Sequence, residues 1–324
     1  IATGLHRPAP EKEIKEIIKS KWVLSNIKIV NHYARDDSMH KKIGVTSKGN
    51  VIKLDKRFLE SDVKIATGLV EPHFMAGYSG GRKVIAPGIA HAETITTFHS
   101  ARYMENKFST SCNLISNPLH EDQLEIVKMI GNVYAVNCVI DENRKLSYIN
   151  FGEIISSHLK AVNFISSYAK VKCNKEFSTI ITTAAGAPLD SNFYQTVKGM
   201  VTPLGILKEG GDLIIAADCS EGLGSDEFIA SQKNLLNLGA DKFLEQILNK
   251  DHADIDEWQT EMEVKSLRKG NIYLYSEGLS DIDKKLTGVN ITNNIANTIN
   301  KSIEKHKDYN IAIIPEGPYV IPVI

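Results

Sequence analysis

The sequence is poor in the residues that mark disulfide-bonded or zinc-binding proteins. It has four cysteines in 324 residues, Cys112, Cys138, Cys173 and Cys219, and none of them belongs to a C-x-x-C pair. This spacing does not indicate a structural zinc site or a thioredoxin-like motif. It favours buried, reduced cysteines that behave as small apolar residues.

Long apolar runs and an excess of one charge are also missing. No segment is long enough to span a bilayer, and no charged-then-apolar leader precedes a cleavage site. The 38 basic residues balance the 39 acidic ones, for a net charge of -1, and no basic run suggests a nucleic-acid partner. We therefore expect a cytoplasmic protein that binds neither membranes nor nucleic acids.

The chain is long enough, with 42% hydrophobic residues, to bury two ordinary cores. Strand-like runs alternate with segments of helical spacing, which predicts two α/β domains with mixed, partly parallel sheets. Polar residues at 172–175 place the boundary between domains of residues 1–171 and 172–324, and the last residues could return to the first domain. Because ligands bind at the carboxyl ends of parallel strands, we expect the active site in the cleft between the domains.

Local patterns predict individual elements. Apolar residues at helical spacing predict helices over residues 11–24 and 92–104. Apolar and β-branched runs predict strands over 26–31 and 63–69, and two alternating runs around residues 141–143 predict a hairpin.

The most informative segment covers residues 71–99, where two histidines and a lysine surround a glycine-rich turn. The opening IATGLHRP, residues 1–8, is repeated as IATGLVEP at 65–72, and the copies bring His6 and His73 to two expected strand ends. Imidazole has an intrinsic pKa of about 6.5 and exchanges protons near neutrality. The repeat therefore predicts an acid–base pair.

Lys83 ends the glycine-rich turn GYSGGRK. The turn has neither P-loop nor dinucleotide-binding spacing, and an ordinary turn with solvated charges is the alternative. The residues after Lys83 are apolar and read as a strand, so its stem should be buried, which makes an amine nucleophilic. We expect it to attach a carbonyl-bearing cofactor or substrate.

His99 is expected on the helix over 92–104, where a neutral imidazole could bind a transition metal. The remaining histidines have simpler interpretations. We expect hydrogen-bonded core residues at His32, His158 and His306. Surface positions are expected for His40, His120 and His252. His91 is expected at the start of a helix.

A third group begins a helix from about Phe193, with Asp190 or Ser191 as its N-cap. Tyr194, Gln195 and Lys198 then share one helix face. A lysine and an amide presented together suit a small carboxylate, although an exposed amphipathic face is the alternative.

Together these segments resemble the nickel-pincer lactate racemase family over essentially the whole chain. The shared motifs are G-L-H-R-P at residues 4–8, E-P-H-F-x-A-G-Y-S-G-G-R-K at 71–83, the His99 segment and D-S-N-x-Y-Q-x-x-K at 190–198. The family's cofactor is a pyridinium mononucleotide whose thioamide and thiocarboxylate groups clamp nickel. The family also has an upstream Asp-x-x-Arg-type segment, which we expect to precede Ile1 in the whole protein.

The resemblance implies a role for each matching residue. Lys83 would carry the nickel-pincer nucleotide covalently, and His99 would be the protein ligand to nickel. His6 and His73 would be proton donor and acceptor. The substrate would be held by residues of the last motif, Gln195 and Lys198, with Tyr194 nearby.

The implied activity is that of an isomerase, a lactate racemase that interconverts D- and L-lactate by proton-coupled hydride transfer through pyruvate. A racemase or epimerase of another 2-hydroxy acid or sugar acid is the nearest alternative. A non-catalytic nucleotide- or metal-binding protein is an alternative of another class, as is a zinc or pyridoxal enzyme built on Lys83. The implied partners are a small 2-hydroxy carboxylate and the proteins that synthesise the cofactor.

Overall fold

The computed structural model describes all 324 residues, and the predicted α/β class is confirmed. The strands are β1 (His40–Val45), β2 (Val51–Asp55), β3 (Lys64–Leu69), β4 (Pro72–His73), β5 (Gly77–Tyr78), β6 (Val133–Ile140), β7 (Leu146–Glu153), β8 (Lys170–Lys172), β9 (Phe177–Thr183), β10 (Leu207–Ala216), β11 (Gly270–Tyr275), β12 (Asn290–Ile291), β13 (Ile311–Ile314) and β14 (Ile321–Val323). The helices are α1 (Glu11–Ile17), α2 (Lys21–Asn26), α3 (Lys56–Leu59), α4 (Arg82–Ile85), α5 (Ala92–Phe98), α6 (Ala101–Met104), α7 (Pro118–Ile130), α8 (Ile154–Ala169), α9 (Phe193–Val201), α10 (Asp226–Leu238), α11 (Ala240–Leu248), α12 (Glu257–Lys269), α13 (Asp281–Leu286) and α14 (Ile295–His306).

The chain forms two compact units that do not follow chain order. Unit 1 comprises residues 1–71, 78–98 and 114–165, and unit 2 comprises 72–77, 99–113 and 166–324. Two short segments from the first half of the sequence therefore belong with the second half. The division at residue 171 stays a prediction.

Unit 1 contains a three-stranded sheet in the order β3-β6-β7. β3 and β6 run parallel, whereas β6 and β7 form the predicted antiparallel hairpin. Along β6 the side chains alternate between buried and exposed, with Val133, Ala135 and Val139 inside. This period of two is what a sheet with one covered face requires.

Unit 2 contains a parallel sheet in the order β12-β11-β10-β9-β13. Its central strands are buried on both faces, so Leu213, Ile214 and Ile215 are consecutive and all inaccessible. The strand order reverses between β9 and β13, which makes their carboxyl ends a topological switch point.

Several predicted elements are wrong in their extent. The helix over 11–24 is two helices separated at residues 18–20, and the helix over 92–104 is interrupted at 99–100. No strand forms over 26–31, because this segment makes its hydrogen bonds with a loop instead of with another strand. Asn31 Oδ1 accepts from the Ala9 N–H at 3.1 Å, and Asn31 Nδ2 donates to the Ala9 carbonyl at 2.9 Å. Among the helices, none has the length and apolar character needed to cross a bilayer.

Candidate active site

Lys83 lies in α4, directly after Gly80 and Gly81. Both glycines have positive φ, +74° and +47°, and a Cβ at Gly81 would lie 2.7 Å from the His158 side chain. The Gly80 carbonyl accepts from the Lys83 N–H at 3.0 Å, which starts a helical turn. The strand expected after Lys83 is therefore wrong, but the side chain is half-buried, as its apolar neighbours indicate.

A buried cation lies beneath this turn. The Arg82 side chain is inaccessible, and its Nη1 is 3.1 Å from His158 Nε2, which is itself 2.9 Å from the Ser79 carbonyl. Burial lowers the pKa of Arg82 to about 9, so the guanidinium stays charged at neutral pH. A buried positive charge here favours an anionic ligand at the turn.

His158 and His120 are both neutral beside this charge. Burial, followed by the Arg82 cation, lowers the pKa of each to about 3. The expectation of a surface position for His120 is wrong, since only 7% of it is exposed. The core position expected for His158 is observed.

His6 is in a turn, not at a strand end. The turn begins at Gly4, whose φ is +55° and whose N–H donates to the Gly88 carbonyl at 3.0 Å. The His6 N–H then donates to the Thr3 carbonyl at 3.0 Å, and the imidazole is exposed. The repeat therefore shares its sequence with β3 but not its conformation, because no strand pairs with residues 1–8.

His73 ends the two-residue strand β4, and its ring is held in one tautomer. Its Nδ1 accepts hydrogen bonds from the backbone N–H groups of Met75 at 3.3 Å and Ala76 at 3.2 Å. The neutral ring must then carry its proton on Nε2. The ring also stacks on Phe74, with centroids 5.1 Å apart. His73 therefore presents an Nε2–H donor in a fixed orientation.

His99 lies in the break between α5 and α6, so the expected helical position is wrong. Its buried ring contacts the indole of Trp258, with centroids 4.8 Å apart at an angle of 48°. Trp258 Nε1 donates to Tyr194 Oη at 3.1 Å, and Gln259 Nε2 donates to the Tyr194 carbonyl at 2.7 Å. Within unit 2, the Trp258 side chain therefore contacts both His99 and Tyr194 of α9.

Trp258 and Gln259 were missed by the sequence analysis. They belong to α12, far along the chain from both partners and in no motif. The only sequence feature that distinguishes Trp258 is that tryptophan is rare in this chain, which has two of them.

Tyr194, Gln195 and Lys198 lie on α9, whose N-cap is Asn192 instead of Asp190 or Ser191. The Asn192 side chain accepts from the Gln195 N–H at 3.0 Å. Gln195 Oε1 is buried without a hydrogen-bond partner, so it can accept from a ligand hydroxyl. Burial raises the pKa of Tyr194 above its ordinary value, which keeps the phenol neutral.

Asp190 instead lines a cavity of about 560 Å³ at the carboxyl ends of the unit 2 strands. Its Oδ2 accepts from the Asp218 N–H at 3.3 Å. Carboxylates of four residues line this space: Asp190, Asp218, Glu277 and Glu316. Like charges repel, so this cavity is unsuited to a carboxylate substrate.

Comparison with known proteins decides the family. Residues 1–111 match the model of the lactate racemase N-terminal domain, and residues 172–322 match that of the lactate racemase C-terminal domain. The lactate racemase of Lactiplantibacillus plantarum is 31% identical over 332 residues, which cover 99% of this chain and 76% of that protein. This chain belongs to the lactate racemase family. The resemblance seen in the sequence motifs is thereby confirmed.

A second lactate racemase, from Thermoanaerobacterium thermosaccharolyticum, is 37% identical over 228 residues, 70% of this chain. The alignment spans about half of that relative, 53% of its length. The solved structure of the lactate racemase apoprotein from the same organism matches 99% of this chain and 77% of its own, with a TM-score of 0.94 and 30% identity. A Thermotoga maritima protein shares the fold, with a TM-score of 0.70 at 15% identity.

Proposed function

We propose that this chain is an isomerase that interconverts D- and L-lactate with a nickel-pincer nucleotide as its cofactor. Its membership of the lactate racemase family supports the activity. The observation that carries the proposal is the contact of Trp258 with both His99 and Tyr194. It joins the imidazole that would bind nickel to the helix that would bind substrate.

The chain's residues fit such a cofactor. Lys83 offers an amine for covalent attachment, in a turn above the buried charge of Arg82. His99 offers an imidazole, a suitable ligand for nickel. No three histidine, cysteine or acidic side chains converge on one point in the structure, so a nickel ion at His99 would take its other ligands from the cofactor. When bound, the cofactor supplies an acceptor for the hydride on C2 of the substrate.

The substrate carboxylate is assigned to Lys198. The ammonium would pin the carboxylate and stabilise the charge that develops on the neighbouring oxygen. Gln195 lies one turn earlier on α9, and its buried Oε1 would accept a hydrogen bond from the substrate hydroxyl in the resting complex, before that proton is taken by a histidine. Holding both groups fixes the orientation of C2.

His6 and His73 are assigned to the hydroxyl proton. The C2 hydrogen is hard to remove as a proton, because the adjacent carboxylate disfavours a carbanion, whereas the hydroxyl proton moves readily between imidazoles. In one direction neutral His6 would take the hydroxyl proton, and His73 as the imidazolium would return a proton from Nε2 to the keto oxygen, which leaves a neutral ring. The charged form of His73 needs a proton on Nδ1 as well, so this nitrogen must first release the N–H groups of Met75 and Ala76. The two histidines exchange roles in the reverse direction.

The test is to produce the protein together with the cofactor-synthesis proteins. We expect added mass on the peptide that contains Lys83, one nickel per chain, and interconversion of D- and L-lactate by chiral chromatography. The variant Lys83→Ala should show none of these. A panel of larger 2-hydroxy acids would reveal a different substrate. An unmodified Lys83 and no nickel, under conditions that load the L. plantarum relative, would contradict the proposal.

A further inference from the structure

His99, the proposed nickel ligand, belongs to a segment that packs on α12. Residues 99–113 come from the first half of the sequence but belong to unit 2. The segment contains α6, a helix of four residues, which is too short to be stable by itself. The position of α6, and with it that of His99, must therefore be held by contacts with the rest of unit 2.

One face of α12 contacts this segment at two points. Trp258 and Lys265 are two helical turns apart on α12, so their side chains lie on the same face. The Trp258 indole lies against the His99 ring, with centroids 4.8 Å apart. The Lys265 ammonium donates a hydrogen bond to the Met104 carbonyl. The two contacts hold opposite ends of the stretch from residue 99 to residue 104.

Lys265 satisfies the carboxyl end of α6. Met104 is the last residue of this helix. Carbonyls at a helix C-terminus have no partner within the helix and carry partial negative charge, so a lysine that donates to one of them stabilises the helix end. The Lys265 side chain is 22% exposed, so little water competes for the bond.

Glu105, the next residue of the segment, adds two ion pairs. Its carboxylate lies 3.7 Å from the Lys265 ammonium and 3.0 Å from Arg268 Nη1. Burial lowers the pKa of Lys265, and the Glu105 carboxylate opposes this effect. Linked ion pairs of this kind contribute more than isolated surface pairs. The end of the segment is thus held through a backbone carbonyl and a carboxylate.

Glu261 does not depend on the Lys265 charge. It lies one turn before Lys265 on α12 and is 1% exposed, and burial raises the pKa of its carboxyl well above the usual value. The Lys265 charge opposes that rise, so its removal favours the neutral carboxyl further. Replacing Lys265 by an uncharged residue therefore leaves no buried anion at Glu261, and we expect such a variant to fold.

We propose that Lys265 is a positioning residue for the racemisation reaction, which holds His99 in place through residues 99–105. It acts through this segment and not by contact with the substrate. An imidazole held in one orientation binds a metal more tightly than a mobile one, because less conformational entropy is lost on binding. The inference rests on the proposed role of His99 as the nickel ligand.

The first test needs no cofactor. In the variant Trp22→Phe, Trp258 is the one remaining tryptophan, and it is 6% exposed. Its emission spectrum in the folded protein therefore reports the contact with His99. We expect His99→Ala and Lys265→Met each to shift the emission maximum to longer wavelength, because both let water reach the indole. The double variant should shift little further than His99→Ala, since both changes act on the same contact.

The second test uses the cofactor-loaded protein. Lys265→Met should lower kcat for lactate by about 10-fold and leave KM within about 2-fold, because His99 is assigned to nickel and not to substrate. Nickel should also be lost faster during dialysis against a chelator. Lys265→Arg should restore kcat and nickel retention, since a guanidinium also donates to a carbonyl and pairs with a carboxylate. Lys301→Met, at an exposed lysine of α14, is the matched control and should change nothing.

Unchanged Trp258 emission in Lys265→Met would overturn the proposal. A lower melting temperature with unchanged emission and unchanged kinetics would overturn it as well, since it would show a purely structural role. A parent protein that takes up no nickel would contradict the proposed function, and the emission test would then decide the inference by itself. If Lys265→Met does not fold, Glu105→Gln replaces it and should shift the emission in the same direction, and the absence of a shift would overturn the proposal.

Discussion

Trp258 Nε1 donates a 3.1 Å hydrogen bond to Tyr194 Oη, while the same indole lies against the ring of His99. All three residues belong to unit 2. It means that a change at Trp258 acts on a ring proposed to bind nickel and on a helix proposed to bind substrate. The side chain is therefore a sensitive place to test the proposed function.

Trp258→Phe should lower kcat/KM for lactate by about 5-fold. The change keeps an aromatic ring against His99 but removes the donor to Tyr194, a hydrogen bond worth about 1 kcal/mol. Tyr194→Phe should cost a similar amount, and the double variant should cost little more than either, because both remove the same bond. Racemisation kinetics of the cofactor-loaded protein measure this.

The other tryptophan supplies the control. Trp22 is 66% exposed in α2, so Trp22→Phe should leave the kinetics unchanged. Fully additive losses in the Trp258 and Tyr194 variants would show that the hydrogen bond does not connect the two groups in function.

His6→Ala and His73→Ala should each lower racemisation by about 10²- to 10⁴-fold, the usual contribution of a positioned acid or base. The mass added at Lys83 and the nickel content should stay at the level of the parent protein, since neither histidine is proposed to hold the cofactor. His252→Ala is the matched control and should keep full activity. Equal activity in all three variants would remove the acid–base assignment.

The sequence predicted the elements whose pattern is local and complete. The alternation in β6 and β7 predicted the hairpin, and the apolar and β-branched run over residues 63–69 predicted β3, because both patterns depend only on the faces that a strand presents. Helix ends were less predictable. α5 ends at Phe98, so His99 is not helical. The residues on both sides of it are compatible with a helix, and the sequence therefore contains no sign of this end.

Residues that depend on distant partners could not be predicted. Trp258 meets His99 across 159 positions of the sequence, the difference between their residue numbers, and no spacing rule reports such a contact. The repeat of IATGL led to the opposite error, since equal sequences were expected to form equal strands. Only the copy that pairs with β6 is extended, because a strand is stabilised by its neighbour.

Gly81→Ala should destabilise unit 1 and prevent modification of Lys83. The new Cβ would lie 2.7 Å from the His158 side chain at a φ of +47°, so the variant adds a steric clash to a strained backbone. We expect a loss of about 2 kcal/mol or more in unfolding free energy. Thermal unfolding and peptide mass spectrometry measure the two effects.

Gly131→Ala separates the clash from the backbone strain. Gly131 also has positive φ, +64°, but nothing lies within 4 Å of an added Cβ. Gly131→Ala should lower the unfolding free energy by about 1 kcal/mol, and Lys83 should still be modified. If the two variants lost equal stability, the contact with His158 would have no part in holding the turn.

Glu263 should make unit 2 less stable as the pH rises. Its carboxyl is fully buried in α12 beside Gln232, and burial raises its pKa to about 8. Between the ordinary value of 4.5 and about 8 the folded state holds a proton that the unfolded state has released, so the unfolding free energy falls across this range.

Glu263→Gln keeps an acceptor for Gln232 and removes the titration. It should match the parent protein near pH 4.5 and be more stable by a few kcal/mol at pH 8, since each pKa unit is worth about 1.4 kcal/mol. Urea unfolding at both pH values measures this, with the exposed Glu304→Gln of α14 as the control for loss of a charge. Parallel stability curves for the parent and Glu263→Gln would show that Glu263 does not titrate in this range.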